Sequence, residues 1–247
     1  MLYIKKEGLP NSVNQQIIEI LRSDNWKSVP DDDTQALRSV FDNEFPKSNV
    51  KKLLIHEQKG LCAYCMRRIH MDSYSRIEHI IPLSKNKDTA LNYGNLLGVC
   101  DGGKHLVGEQ NHILCCDAEK GEKEISISLL NEFQMDKIAY KKDGTIYTNP
   151  EDEAMEKDMN EILHLNGIRN RDGSVLDTST EILKGRRDTY FRAQKMMEML
   201  AKQGKCTSAE VKKIIDNLKN KEEFEEYQGV KLYYFRKKYD SLVKRGL

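Results

Sequence analysis

The sequence is short of several features that would classify it at once. No apolar run approaches the roughly 18 residues that a membrane span needs, and the opening residues MLYIKKEGLP hold no stretch like the apolar core of a secretory signal. The expectation is a cytoplasmic protein with no membrane partner. Charge of one sign is missing too: 40 Lys+Arg stand against 39 Asp+Glu, for a formal net charge of +1. That balance excludes a polycation that coats nucleic acid by bulk electrostatics, so any such contact must come from a local patch or from a partner. Aromatic residues reach only 7%, and there are five prolines in 247 residues. What is left is a charge-dense composition, 32% charged and 38% hydrophobic, with enough apolar side chains for a core and a lean toward helix. No internal repeat or low-complexity tract interrupts it.

Cysteine is the first informative residue type. The six cysteines sit at 62, 65, 100, 115, 116 and 206. In a reducing cytoplasm they are not expected to form disulfides, yet five of them crowd into one segment and the first two are spaced C-x-x-C. Cys62 and Cys65 make a tight two-thiolate corner, and a tetrahedral zinc site then needs a second corner further along the chain. Cys100 with either Cys115 or Cys116 can supply it, across an insertion of fifteen residues between Cys100 and Cys116. His105 and His112 lie in that insertion and are alternative ligands. Cys206 stands apart and reads as a plain thiol. A structural zinc contributes on the order of 10–16 kcal/mol of folding free energy at neutral pH, ample to close a loop of this size.

Around this cluster the pattern reads as three parts. Residues 1–60 are helical: Asn11 or Ser12 caps a helix carrying Ile17, Ile18 and Leu21, a break follows at Val29-Pro30, a second helix runs from Thr34 to Phe45 and a third from Ser48 to Lys59, stopped by Gly60. Residues 61–150 lose the helical period. A strand is expected around Arg76–Ile81, and Cys100–Asn111, with three glycines in twelve residues, reads as a loop that buries little apolar surface. Ile125–Leu129 alternates apolar and polar like a strand, and IAYKKDGTIY signals a hairpin turning at Asp143-Gly144. Residues 151–247 are helical again. Met155, Met159, Ile162 and Leu163 form one stripe, a long amphipathic segment covers 177–203 up to Gly204, Thr207-x-x-Glu210 is a capping box, and a last helix spans about 230–245.

Within the cysteine-bounded segment, Arg76-Ile77-Glu78-His79-Ile80-Ile81-Pro82 sets a carboxylate beside an imidazole. In a strand the two side chains point to opposite faces, unless a turn or bulge lets both address one cleft. Asn92-Tyr93-Gly94-Asn95 precedes Cys100, and Asp117-Ala118-Glu119-Lys120 follows Cys116. Each has a plain alternative: His79 as a packed core histidine, Asn95 as a turn residue, Asp117 as a helix N-cap. Arg67, Arg68, Arg76, Lys85 and Lys87 form a candidate phosphate-contacting patch.

The ordered set C-x2-C, E-H-x-x-P, N-L, C, C-D-x-x-K over residues 61–121 resembles the HNH, or ββα-metal, endonuclease signature. With the ISISLLN, DGTIY and EILHLNG stretches, the chain resembles the PtuB-type HNH subunit of Septu and retron-linked anti-phage systems, which works with a PtuA-type ATPase partner. The resemblance implies an α+β, mainly helical fold: a zinc-stapled ββα-metal HNH core with its following β-hairpin at 61–150, flanked by the helical regions 1–60 and 151–247. It implies Cys62, Cys65, Cys100 and Cys116 as the structural zinc ligands and His79 as general base. Asn95 would brace the loop bearing that histidine. Glu78 and Asp117 would bind a catalytic Mg²⁺ or Mn²⁺, with Asp117 standing where His or Asn is usual, and Lys120 would contact phosphate. DNA is the implied substrate. The competing expectation is a non-catalytic zinc module that binds nucleic acid or a partner, motivated by the near-neutral charge and by apolar stripes such as Met196, Met197 and Leu200.

Overall fold

The computed structural model describes residues 1–106, 113–169, 175, 176 and 180–247; His112 and the first residues of the segment 177–203 lie outside this set. The N-terminal part is four helices, α1 (Asn11–Arg22), α2 (Asp24–Ser28), α3 (Thr34–Asn43) and α4 (Lys47–Glu57). Neither Asn11 nor Ser12 caps α1. The Pro10 carbonyl accepts from both Val13 and Asn14, so the helix starts at Asn11 with the preset φ of proline before it. Its buried face is Val13, Ile17 and Ile20, and Leu21 turns outward. Ser23 and Asp33 cap α2 and α3 by accepting from Trp26 and Ala36. The chain leaves α4 through Lys59 and Gly60, both at positive φ, as the glycine stop anticipates.

The middle part is built on two antiparallel strands, β1 (Ser75–His79) and β2 (Leu96–Cys100), in a register running from Ser75 opposite Cys100 to His79 opposite Leu96. β1 stops two residues earlier than its apolar pattern suggests. The amides of Ile80 and Ile81 leave the ladder and donate instead to the Asn95 carbonyl and side chain. β2 has no alternation to betray it, because all five of its residues are buried. Two short helices flank the pair, α5 (Lys87–Ala90) on the loop between the strands and α6 (Asp117–Lys120) directly after Cys116.

Ile125–Leu129 is not a strand. Its inward residues are buried as the alternation requires, but its amides are taken by side chains: Ser126 and Ile127 donate to Asp158 and Ser128 donates to Gln134. Alternation here reports which residues face inward, without a partner strand. After α7 (Glu132–Asp136), the hairpin β3 (Ile138–Tyr140) and β4 (Ile146–Thr148) turns through Gly144 at φ 93°. α8 (Glu153–Lys157) runs into a wider turn over Asp158–Ile162, burying Met155, Met159 and Leu163. A two-residue pair, β5 (Ile168–Arg169) with β6 (Val175–Leu176), precedes α9 (Thr180–Lys202), α10 (Ser208–Lys219) and α11 (Gln228–Lys244). The Thr207 hydroxyl accepts from Glu210 to cap α10, and Tyr190 and Tyr234 pack edge to face between α9 and α11. Of the stripe on α9, Met197 is buried while Met196 is partly exposed.

The fold is thus mainly helical α+β, and among the described residues no helix is long and apolar enough to cross a membrane. Its apolar side chains form two cores. One joins α1–α4 to Leu83, Leu91, Tyr93 and Leu96 around the loop that follows β1. The other joins the cysteines, Leu61, Tyr64 and Ile69 to the hairpin and the C-terminal helices. Gln58, at the end of α4, stitches the helix to β2: its amide donates to the carbonyls of Leu61 and Gly98 at 2.8 and 2.7 Å and accepts from the Gly98 amide at 2.7 Å. Gln58→Leu strands those buried groups and is expected to cost about 2–3 kcal/mol, read as a lowered urea midpoint with an unchanged denaturant slope.

Candidate metal centre and candidate active site

The cysteine cluster is assembled from three pieces of backbone. The Cys62–Cys65 knuckle closes on itself, Cys62 donating to Arg67 O and Met66 to Cys62 O, and it docks on β2 where Ala63 donates to Gly98 O. Cys100 ends β2. Cys116 sits at φ 55° just before α6. The four Sγ atoms all lie within 4.8 Å of one another, and Cys65 and Cys100 are 3.7 Å apart. Tetrahedral Zn–S bonds of about 2.3 Å put sulfurs about 3.8 Å apart, so the four buried thiols can hold a metal ion such as zinc. The electrostatics point the same way. Burial pushes the Cys62 thiol well up, while hydrogen bonds from the neighbouring cysteines hold Cys100 well down. Four crowded thiols cannot all ionise by themselves, and a divalent cation removes that conflict.

The fourth ligand position falls to Cys116. Cys115 turns its sulfur to the Gly102 carbonyl and to the Arg67 guanidinium, which also lies 3.5 Å from Cys100 Sγ. His105 is outside the cluster, bound to the Asp101 carboxylate at 2.5 Å and packed against Tyr74. Elemental analysis is therefore expected to find one tightly held metal ion per chain, lost with the fold in Cys116→Ser and kept in Cys115→Ser.

One residue before the end of β1, Glu78 points into the protein, 6% exposed, and meets Lys120 Nζ at 2.7 Å, Tyr64 Oη at 3.4 Å and the side chain of Asp117. Burial, reinforced by the Asp117 carboxylate, outweighs the Lys120 ammonium and pushes the Glu78 carboxyl up to about 8. Asp117 is the first residue of α6, and Cys116 holds the N-cap position, so the plain reading of Asp117 as the cap does not hold. Lys120 is also not where a phosphate ligand belongs: its side chain is fully buried, paired to Glu78 and donating to the His79 carbonyl at 3.1 Å. An ammonium held in this way is committed to the interior and does not reach solvent.

His79 closes the strand. No bulge brings it round to Glu78, since the ladder stays regular through His79 opposite Leu96, and the two side chains leave on opposite faces. The His79 Nε2 atom is 2.9 Å from the Ala90 carbonyl. A carbonyl can only accept, so Nε2 carries the proton in the neutral ring and Nδ1 is left as the acceptor. The ring rests on Phe41 at 4.7 Å. Its pKa is lowered, mainly by burial and further by the charges of Arg38 and Lys120, against the Ala90 carbonyl and Asp117. Asn95 clasps the loop after His79, accepting from Ile81 N at 2.8 Å and donating to Ile81 O at 3.0 Å and Thr89 O at 3.2 Å.

The basic patch expected beside these residues is largely structural. Arg67 turns in to the thiols. Arg68 pairs with Glu223 at 3.1 Å and donates to the Phe224 carbonyl. Lys87 caps the Val29 carbonyl and lies over Trp26. Sequence reasoning missed Tyr64, hidden between Cys62 and Cys65, and Arg38, which comes from a distant helix. No protein-family model matches the chain, and a comparison with curated proteins finds no match.

The raised Glu78 carboxyl also bears on stability. The folded chain keeps this proton up to about pH 8, whereas the unfolded chain releases it near the ordinary 4.5. Between those values the folded state binds more protons, so stability falls as pH rises through the window. Glu78→Gln is expected to flatten that decline, checked by urea midpoints of both proteins from about pH 5 to about pH 9 without added Mg²⁺ or Mn²⁺.

Proposed function

We propose that the chain is a metal-dependent HNH endonuclease that hydrolyses phosphodiester bonds in DNA. In this reading it is the nuclease subunit of an anti-phage complex of the Septu type, loaded by an ATPase partner. The observation that carries the reading is the setting of His79: a strand-end imidazole, its tautomer set by the Ala90 carbonyl, its loop clasped by Asn95, and Asp117 within electrostatic range. Nδ1, which has no hydrogen-bond partner among the described residues, accepts a proton from water, and the lowered pKa keeps the ring neutral at pH 7. The hydroxide attacks phosphorus in line and the 3′ or 5′ oxygen leaves.

Two side chains suit a hard divalent cation. Glu78 and Asp117 lie side by side, and the Glu78 carboxyl, which keeps its proton in the protein alone, would release it to solvent when Mg²⁺ or Mn²⁺ took the pair as its anionic oxygen donors. When bound, the ion supplies charge neutralisation at the scissile phosphate and the leaving oxygen. Zinc at Cys62, Cys65, Cys100 and Cys116 plays no part in the chemistry; it holds the strand pair and α6 together. Lys120 balances Glu78 and ties α6 to the His79 carbonyl.

The test is cleavage of plasmid DNA by the chain with its ATPase partner and Mg²⁺ or Mn²⁺. His79→Ala is expected to lower the rate about 10²–10⁴-fold while zinc content and thermal midpoint stay those of the wild type. Unchanged cutting by that variant removes His79 as the base. A second reading, a zinc-structured module that binds nucleic acid or the partner without cutting, draws on the burial of Lys120 and on Glu78 and His79 leaving opposite faces of β1. DNA binding with no cleavage under any divalent ion favours it.

A further inference from the structure

His79 does not open onto free solvent. Its ring forms part of a groove of about 460 Å³ between β1 and the helices α3 and α4. Four cations line this groove, Arg38 from α3, Lys47 and Lys51 from α4, and Arg76 from β1. Two carboxylates face it, Asp42 and Asp72. Asp42 is already taken by Lys47 at 3.0 Å, in an exposed pair. Lys51 donates to the Asp72 and Ser75 carbonyls at 2.6 Å each, which seats its ammonium at the groove beside Arg76. Arg38 and Arg76 make no ion pair among the described residues, although Arg38 is exposed and both share the groove with His79.

Unpaired guanidinium groups lining one groove repel one another unless an anion lies between them. Guanidinium is also the side chain best matched to phosphate, through paired N–H donors. The shape is open, so it suits a polymer passing across, not an enclosed small molecule. We infer that this groove is the backbone track of a bound nucleic acid, on which Arg38 and Arg76 grip phosphates on the path over His79. The inference rests on the nuclease reading for the role of His79 and extends it to groups outside the signature segment. It also gives the N-terminal helices a role, because α3 and α4 form the far wall of the track. The arginines that flank the knuckle in the sequence, Arg67 and Arg68, are committed to the protein itself.

The experiment uses the full chain carrying His79→Ala, so that no substrate is cut, and a fluorescein-labelled duplex DNA at low ionic strength, followed by anisotropy. Arg38→Gln and Arg76→Gln are each expected to weaken binding about five- to tenfold and to reduce the slope of log K against log salt by about one. Arg38→Lys and Arg76→Lys should restore part of the slope, and Lys212→Ala, on the exposed face of α10, should change nothing. Thermal midpoints and metal content show that each variant is folded. Single-stranded DNA and duplex RNA of the same length serve as parallel probes, and tighter binding to either, with the same arginine dependence, supports the track and corrects the duplex DNA substrate. If binding is absent, or if neither arginine variant changes affinity or salt slope, the track is overturned even where His79→Ala abolishes cutting. If the arginines control binding but the wild-type chain with its partner cuts nothing, the track stands and the nuclease reading falls.

Discussion

Four thiols held within 4.8 Å of one another in a buried pocket are the constraint on which the middle of this protein depends. Such a cluster is tolerated as neutral thiols but unfavourable as thiolates, because burial and mutual repulsion then act together. A bound divalent ion turns the same arrangement into a strong staple. What it joins matters more than the site itself. Cys62 and Cys65 belong to the knuckle that rests on β2, Cys100 ends β2 opposite Ser75 of β1, and Cys116 launches α6. Through those attachments one cluster sets the position of Glu78 and His79 on one side and of Asp117 and Lys120 on the other.

β1 acts as a partition. Its regular pairing sends Glu78 inward to a carboxylate–ammonium–phenol group and His79 outward to the groove beside Phe41. The two faces communicate through short links. Lys120 contacts Glu78 and also donates to the His79 carbonyl, and the field of Asp117 reaches the imidazole. In the proposed chemistry Glu78 and Asp117 would hold the hard cation from the inner face, while the outer face carries the base. The Asn95 clasp and the Ala90 carbonyl confine the histidine without occupying Nδ1. A ring held through Nε2 and against Phe41, with Nδ1 unpartnered among the described residues, is preorganised for proton transfer.

Much of this was legible along the chain alone. Local signals act through the nearest few residues, so they survive any tertiary context: Asp143-Gly144 turns the hairpin, Gly60 stops α4, Thr207 caps α10, and the C-x-x-C spacing makes a knuckle. Signals that depend on a distant partner misled or stayed silent. Ile125–Leu129 alternates as a strand does, yet Asp158 and Gln134 take its amides. Leu96–Cys100 shows no alternation because both its faces are buried, and so reads as featureless. Basic residues near the motif looked like one patch, but Arg67, Arg68 and Lys87 each found an internal acceptor.

The sequence by itself determined the glycine stop after α4, the Thr207 cap, the hairpin turn and the cysteines able to form a metal corner, since each is written in spacing along the chain. The choice of Cys116 over Cys115 as the fourth thiol needed the fold, because adjacent residues differ only in the direction their backbone turns them. So did the burial of Lys120 against Glu78 and the arrival of Arg38 beside His79 from a helix some forty residues away. Charge and desolvation act through space, and only the tertiary structure decides which groups are neighbours there.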